Sequence, residues 1–281
     1  MGNWRRLLLI IVATAVAVVE SAGAQDTSYT APRLAGTENP DLNGIWQALN
    51  TANWDIRAHT AGPSPFPELL GTRSAVPAGH GVIEGNEIPY QPWAANQQRQ
   101  NFEERLTRPN DNSTNETAGD PEVKCYLPGV PRATYMPFPF QIFHTPGQIF
   151  TAYAYAGATR QIHLGRQPQS PNLSWMGWSI GSWEGDTLVV DVTDQLGKTW
   201  LDRAGNFYSE AVHVVERYTP ISPNHMMYEA TIEDPNIFTR SWTIRMPLYR
   251  RIEENAEVLE FNCVGFAEDF LYGQIIEDSD D

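Results

Sequence analysis

The sequence predicts an all-β protein: an antiparallel up-and-down barrel, or a strongly bent sheet, with an irregular Pro-rich N-terminal wrap. Three observations carry this. Strand-type patterning recurs in short runs from residue 138 to residue 264, and compact turn sequences separate several of the runs. Gly and Pro number 21 each, with 9 Trp and 11% aromatic residues, a mix suited to many short strands and not to long helices. Hydrophobic residues reach 41% against 19% charged, enough for a core and too little charge for a disordered or coiled-coil chain.

At the N-terminus, Arg5 and Arg6 precede an unbroken apolar run from Leu7 to Val19, and Ala22-Gly23-Ala24 supplies the small-x-small pattern that signal peptidase reads. A cleaved signal peptide over residues 1–24 is expected, with an uncleaved anchor as the alternative, because the run is too short to span a bilayer comfortably. No second run approaches that length, so a periplasmic or secreted, soluble chain without a membrane span is expected. Residues 25–120 form the wrapping segment, rich in Pro from Pro32 to Pro109, with a short helix around Pro92 to Leu106 and the first strand. The polar stretch from Arg108 to Thr117 reads as an exposed loop, and its sequons at Asn112 and Asn115 would matter only in a eukaryotic secretory route.

Residues 121–274 are the barrel core of the same domain, followed by an acidic tail over residues 275–281 that reads as solvated. Expected strands are Phe140 to His144, Gln148 to Tyr155, Arg160 to Leu164, Trp175 to Trp183, Thr187 to Thr193, Val212 to Thr219, His225 to Glu233, Thr239 to Pro247 and Val258 to Val264. Thr145-Pro146-Gly147, Glu184-Gly185-Asp186 and Ser222-Pro223-Asn224 are turns of the right length for antiparallel neighbours. A meander of this size must close, or fold into two sheets, to protect its edges. The two cysteines, Cys125 and Cys263, read as a disulfide in an oxidising compartment, with two buried thiols as the alternative.

Two sets of residues resemble known proteins. Gly44-Ile45-Trp46 is similar to the G-x-W that opens the first strand of lipocalin-like barrels, where the Trp plugs one barrel end. The segments Asp41 to Trp46, Pro128-Gly129-Val130-Pro131-Arg132, Trp175-Met176-Gly177, Trp183 to Asp191 (WEGDTLVVD), His213 to Arg217 (HVVER) and Asp234-Pro235 together resemble an abundant, functionally uncharacterised family of exported bacterial β-rich proteins. That resemblance covers about residues 40 to 270. It implies an exported β-rich domain and supplies no activity. It also implies a His at the position of Trp178 in relatives, so chemistry relying on that imidazole is in doubt here.

The chain carries 19 Lys and Arg against 34 Asp and Glu, a net charge of −15 that repels nucleic acid and anionic lipid and points to a small-molecule partner. Alternation in HVVER puts His213, Val215 and Arg217 on one face and Val214, Glu216 and Tyr218 on the other, so at least one of His213, Glu216 and Arg217 should be interior and need a partner. We expect His213 as acid or base, Arg217 beside it, and Asp202 at the margin, as the catalytic set, pointing into the principal cavity. Arg160 follows the small-residue run Ala154 to Ala158 and is expected to bind ligand with Tyr153; His163 lies on the opposite face. Trp175, Trp178 and Trp200 offer flat faces to sugar or aromatic rings.

No metal-ligand spacing, G-x-S-x-G, phosphate loop or G-x-G-x-x-G occurs, so neither metal nor nucleotide cofactor is expected. Two readings follow. One is an exported enzyme with acid/base chemistry in a barrel cavity: a lyase, hydratase, isomerase or simple hydrolase. The other is a lipocalin-like, non-catalytic binder of a hydrophobic, aromatic or glycan ligand.

Overall fold

The computed structural model describes residues 29–64, 75–107, 119–165, 168–261 and 263–264. The expected signal sequence, sequon-bearing loop and acidic tail lie outside the described residues. In chain order the elements are β1 (Gly44–Ala48), β2 (Ala58–His59), β3 (Gly79–His80), α1 (Pro92–Glu103), α2 (Arg132–Tyr135), β4 (Phe140–Thr145), β5 (Gln148–Tyr153), β6 (Thr159–Leu164), β7 (Trp178–Glu184), β8 (Thr187–Thr193), β9 (His213–Ser222), β10 (His225–Glu233) and β11 (Trp242–Arg250). Strands β4 to β11 form a continuous sheet, and β1 pairs with both β11 and β4 to close it into a barrel. The small β2–β3 ladder stands apart.

Period-two patterning places the core. In β9 and β10, Val214, Glu216 and Tyr218, then Met226, Tyr228, Ala230 and Ile232, turn inward, while their neighbours face out. Two-residue turns join β4 to β5, β7 to β8 and β9 to β10; Gly185, at φ 58°, takes the left-handed position that a side chain resists. Trp46 is 2% exposed inside the barrel. Its Nε1 donates to the Leu42 carbonyl at 3.1 Å, and the Arg250 guanidinium lies 4.4 Å from its ring centroid.

Two expectations need correction. Val258 to Val264 is not a strand in its described residues, because β1–β4 pairing has already closed the barrel and left no edge to extend. Instead Phe261 packs on Phe138 and Tyr155, and Cys263 is bridged to Cys125 with the Cα atoms 5.6 Å apart. The barrel is also not antiparallel throughout, since β6 and β7 run parallel. A parallel neighbour requires the chain to travel back along the barrel before re-entering the sheet. Residues 168–177 belong to that return, and the region expected as strand from Trp175 begins as one only at Trp178.

The N-terminal wrap is fastened by ions. Arg132, wholly buried, donates all five N–H bonds: two to Asp120, and one each to Glu122, Asn53 and the Trp200 carbonyl. Arg203 donates twice more to Glu122, at 2.8 and 2.9 Å. Burial works to raise Glu122, but Arg132 and Arg203 outweigh it and hold the carboxyl down to about 2. Gln195 secures the adjoining loop by accepting from Val130 N and donating to Val130 O.

Candidate ligand site at the barrel seam

The parallel step creates the site. The β6–β7 ladder runs from Ile162 opposite Ser179 to Leu164 opposite Gly181; beyond it, towards Thr159 and Met176, the two chains are no longer paired. The opening is a cavity of about 460 Å³, within the range of small-molecule sites. Thr159, Gln161 and His163 form one side; Ser174, Trp175, Met176, Gly177 and Trp178 form the other; Leu127, Leu173 and Leu196 complete it. Gly177, at φ 66°, allows the tight entry into β7: a Cβ there would lie 2.6 Å from the Thr193 carbonyl. Trp175 stacks on Tyr126 at 5.0 Å, Trp178 tilts against His163 at 4.6 Å, and Trp178 Nε1 donates to the Pro168 carbonyl at 2.8 Å. The lining is mainly apolar, with hydroxyl, amide and imidazole groups at its rim and no carboxylate.

Of the residues expected to bind ligand, Trp175 and Trp178 lie in this wall. Arg160 belongs to it as well, yet its side chain is 2% exposed and turned into the barrel. There it donates from Nε to Ser179 Oγ at 2.8 Å and from Nη2 to Glu216. The other Glu216 oxygen accepts from the hydroxyls of Tyr218 and Tyr228 at 2.9 and 2.8 Å. Burial opposes the Arg160 charge, but Glu216 prevails and keeps the guanidinium protonated; burial and the Glu216 charge together push both phenols far up. Tyr153 turns inward beside this pair, its phenol also raised by burial. Trp200 is 5% exposed and is not a residue of the seam wall; its carbonyl accepts from Arg132.

The expected catalytic set does not assemble. His213 faces outward and reaches only Asp191 at 3.1 Å, both exposed; Arg217, also outward, pairs with Glu184 at 2.8 Å. Alternation in β9 was read correctly, but the inward face is that of Val214, Glu216 and Tyr218. Asp202 is wholly buried and accepts four N–H bonds, from Ile56, Ala204 and both nitrogens of Asn206. Burial and nearby Asp55 push it up to about 7, a value suited to a base, but every acceptor site is occupied and it is outside the cavity wall. Among the described residues, buried side chains pack the barrel lumen around a void of about 10 Å³ lined by Ile142, Ile149, Ile162, Leu188 and Tyr218. That is room for about one water.

No protein-family model, curated protein or solved structure matches this chain significantly. The functional reading therefore rests on geometry. The sequence missed Thr159, Gln161, Ser174 and Leu127 as wall residues, and it set His163 aside in favour of Arg160. The outward positions of Thr159, Gln161 and His163 on β6 were available from alternation. That the return before β7 would cover them depends on the parallel step, which no local pattern announces.

Proposed function

We propose that the protein is a non-catalytic binding protein that takes a ring-bearing small molecule into the seam cavity, in the periplasm or outside the cell, as a member of the exported family it resembles. The observation that carries this reading is the cavity itself: about 460 Å³, two Trp rings, a polar rim and no acid in its wall. A ring laid against Trp178 would bury apolar area, and Gln161, Thr159 and Ser174 could hold its polar edge. The disulfide, and the absence among the described residues of a helix long and apolar enough to cross a membrane, accord with that compartment. The enzyme reading loses its warrant because its motive was a convergent His213, Arg217 and Asp202, and these three stand apart, two paired at the surface and one saturated inside.

The test is native mass spectrometry of exported protein purified without denaturation. A bound small molecule present in the wild type and missing from a folded Trp178→Ala variant is expected. Retention of the same adduct by Trp178→Ala would place the ligand elsewhere and overturn the reading.

A further inference from the structure

The outer surface of the barrel is divided. On β8 to β11 it carries charge in pairs, among them Asp191 with His213 and Glu229 with Arg245. On β4 to β7 the outward positions are nearly free of it. Only His163 and Glu184, the last residue of β7, can ionise there, and Glu184 is engaged by Arg217. In a chain with net charge −15, four adjacent strands whose outer face holds one imidazole and one paired carboxylate are a marked departure from the average surface.

That face also holds a row of rings. Phe143 lies opposite Phe150, Phe150 opposite Gln161, and Ile162 opposite Ser179, which sets Gln161 beside Trp178. All four side chains point outward, one per strand, in a line across the sheet. Phe143 and Phe150 are 44% and 39% exposed, with ring centroids 6.4 Å apart. Gln161 stands between Phe150 and Trp178 in the row, and its amide donates to Gln148, in the adjacent row, at 3.0 Å. Three strand spacings make the row about 14 Å long, and it runs directly into the cavity, where Gln161 and Trp178 are wall residues. Exposed aromatic rings aligned in this way, with an amide among them, mark an interaction surface.

We infer that the ligand is an uncharged linear oligosaccharide: one terminal ring sits in the seam cavity against Trp178, and the following units lie along Gln161, Phe150 and Phe143. This rests on the binding reading above and specifies its ligand. Sugar rings present an apolar face that stacks on aromatic side chains and hydroxyls that amides can bond. A face with so little charge suits a neutral chain; a uronic acid polymer would meet no outward Lys or Arg on these strands and would be repelled by the acidic remainder of the molecule. The line of rings exceeds one sugar unit, so affinity should grow with chain length until the row is covered.

The experiment is calorimetric titration of the exported, disulfide-bonded protein with cellohexaose, mannohexaose, xylohexaose and chitohexaose, each beside its disaccharide, with hexagalacturonate as the charged control. At least one neutral hexaose is expected to bind roughly tenfold or more tighter than its disaccharide, the gain of one or two stacked rings. The double variant Phe143→Thr and Phe150→Thr, at exposed strand positions that Thr tolerates, should reduce the hexaose to disaccharide affinity and leave the disaccharide unchanged. Failure of all four neutral hexaoses to bind, equal affinity for hexaose and disaccharide, an indifferent double variant, or equally tight hexagalacturonate would each overturn the inference. If a ring compound still binds in a Trp178-dependent way, the cavity reading survives that failure. If Trp178→Ala changes no binding at all, both fall.

Discussion

Glu216→Gln removes one charge from the centre of the barrel. Arg160 then stays protonated with its counter-ion gone, while its Nη1 already lacks a hydrogen-bond partner. Both residues of the pair have side chains no more than 2% exposed, so solvent screening does not soften the change. Breaking a buried ion pair from one side costs about 3 to 5 kcal/mol, a large share of a typical domain stability of about 5 to 15 kcal/mol. For a domain of this size that corresponds to a midpoint lower by roughly 6 to 20 °C. The amide oxygen can still accept from Tyr218 and Tyr228, but the amide NH2 then faces Arg160 Nη2, so the variant loses the charge and that hydrogen bond together. The double variant Arg160→Met with Glu216→Gln removes the orphaned cation and should recover about 2 kcal/mol of the single variant's loss. Urea unfolding at pH 7 on all three variants gives the cycle. A single-variant cost below about 1 kcal/mol, or a double variant that costs the sum of the two singles, would refute the interior ion pair.

Exposed pairs should behave oppositely: His213→Gln and Arg217→Met are each expected to change stability by less than about 1 kcal/mol in the same assay and to leave ligand binding intact. Cys125→Ala with Cys263→Ala opens a loop with a sequence separation of 138, which the chain-entropy model values at about 4 to 5 kcal/mol, checked by the denaturation midpoint of exported protein. Glu122 has a folded value of about 2, depressed from 4.5, so the stability it supplies is complete above pH 4.5 and is lost as pH falls from there towards 2; Glu122→Gln should flatten that part of the acid-unfolding curve. Gly177→Ala meets the Thr193 carbonyl and strains a positive-φ residue, so it should cost more than about 1 kcal/mol and weaken binding at the seam, measured by unfolding and by titration with the retained ligand.

The fold was readable where period-two patterning and turn chemistry agreed. Phe140 to His144, Thr187 to Thr193 and His225 to Glu233 became strands within a residue or so of expectation, and Glu184-Gly185-Asp186 is the turn it looked like. Trp46 could be assigned to the barrel interior from its motif, and Cys125 and Cys263 could be paired from their number and context. The orientation of β9 was harder, because His213, Glu216 and Arg217 put ionisable groups on both faces and the pattern alone does not say which face is inside. Glu216 won the interior because Arg160, Tyr218 and Tyr228 wait there to satisfy it, and those partners come from other strands. The site was harder still. It arises where two strands distant in their local patterns run parallel and part, a property of the closed barrel and of no single segment.

On the proposed reading, ligand occupies the opening between β6 and β7 and not the barrel lumen or the His213–Arg217 face. A crystal structure of the exported protein with its retained or titrated ligand tests this directly. Density for a ring against Trp178, bordered by Gln161, Ser174 and Leu127, is the predicted result. Ligand density among Ile142, Ile149 and Leu188 inside the barrel, or beside His213 and Asp191 on its outer wall, would contradict it.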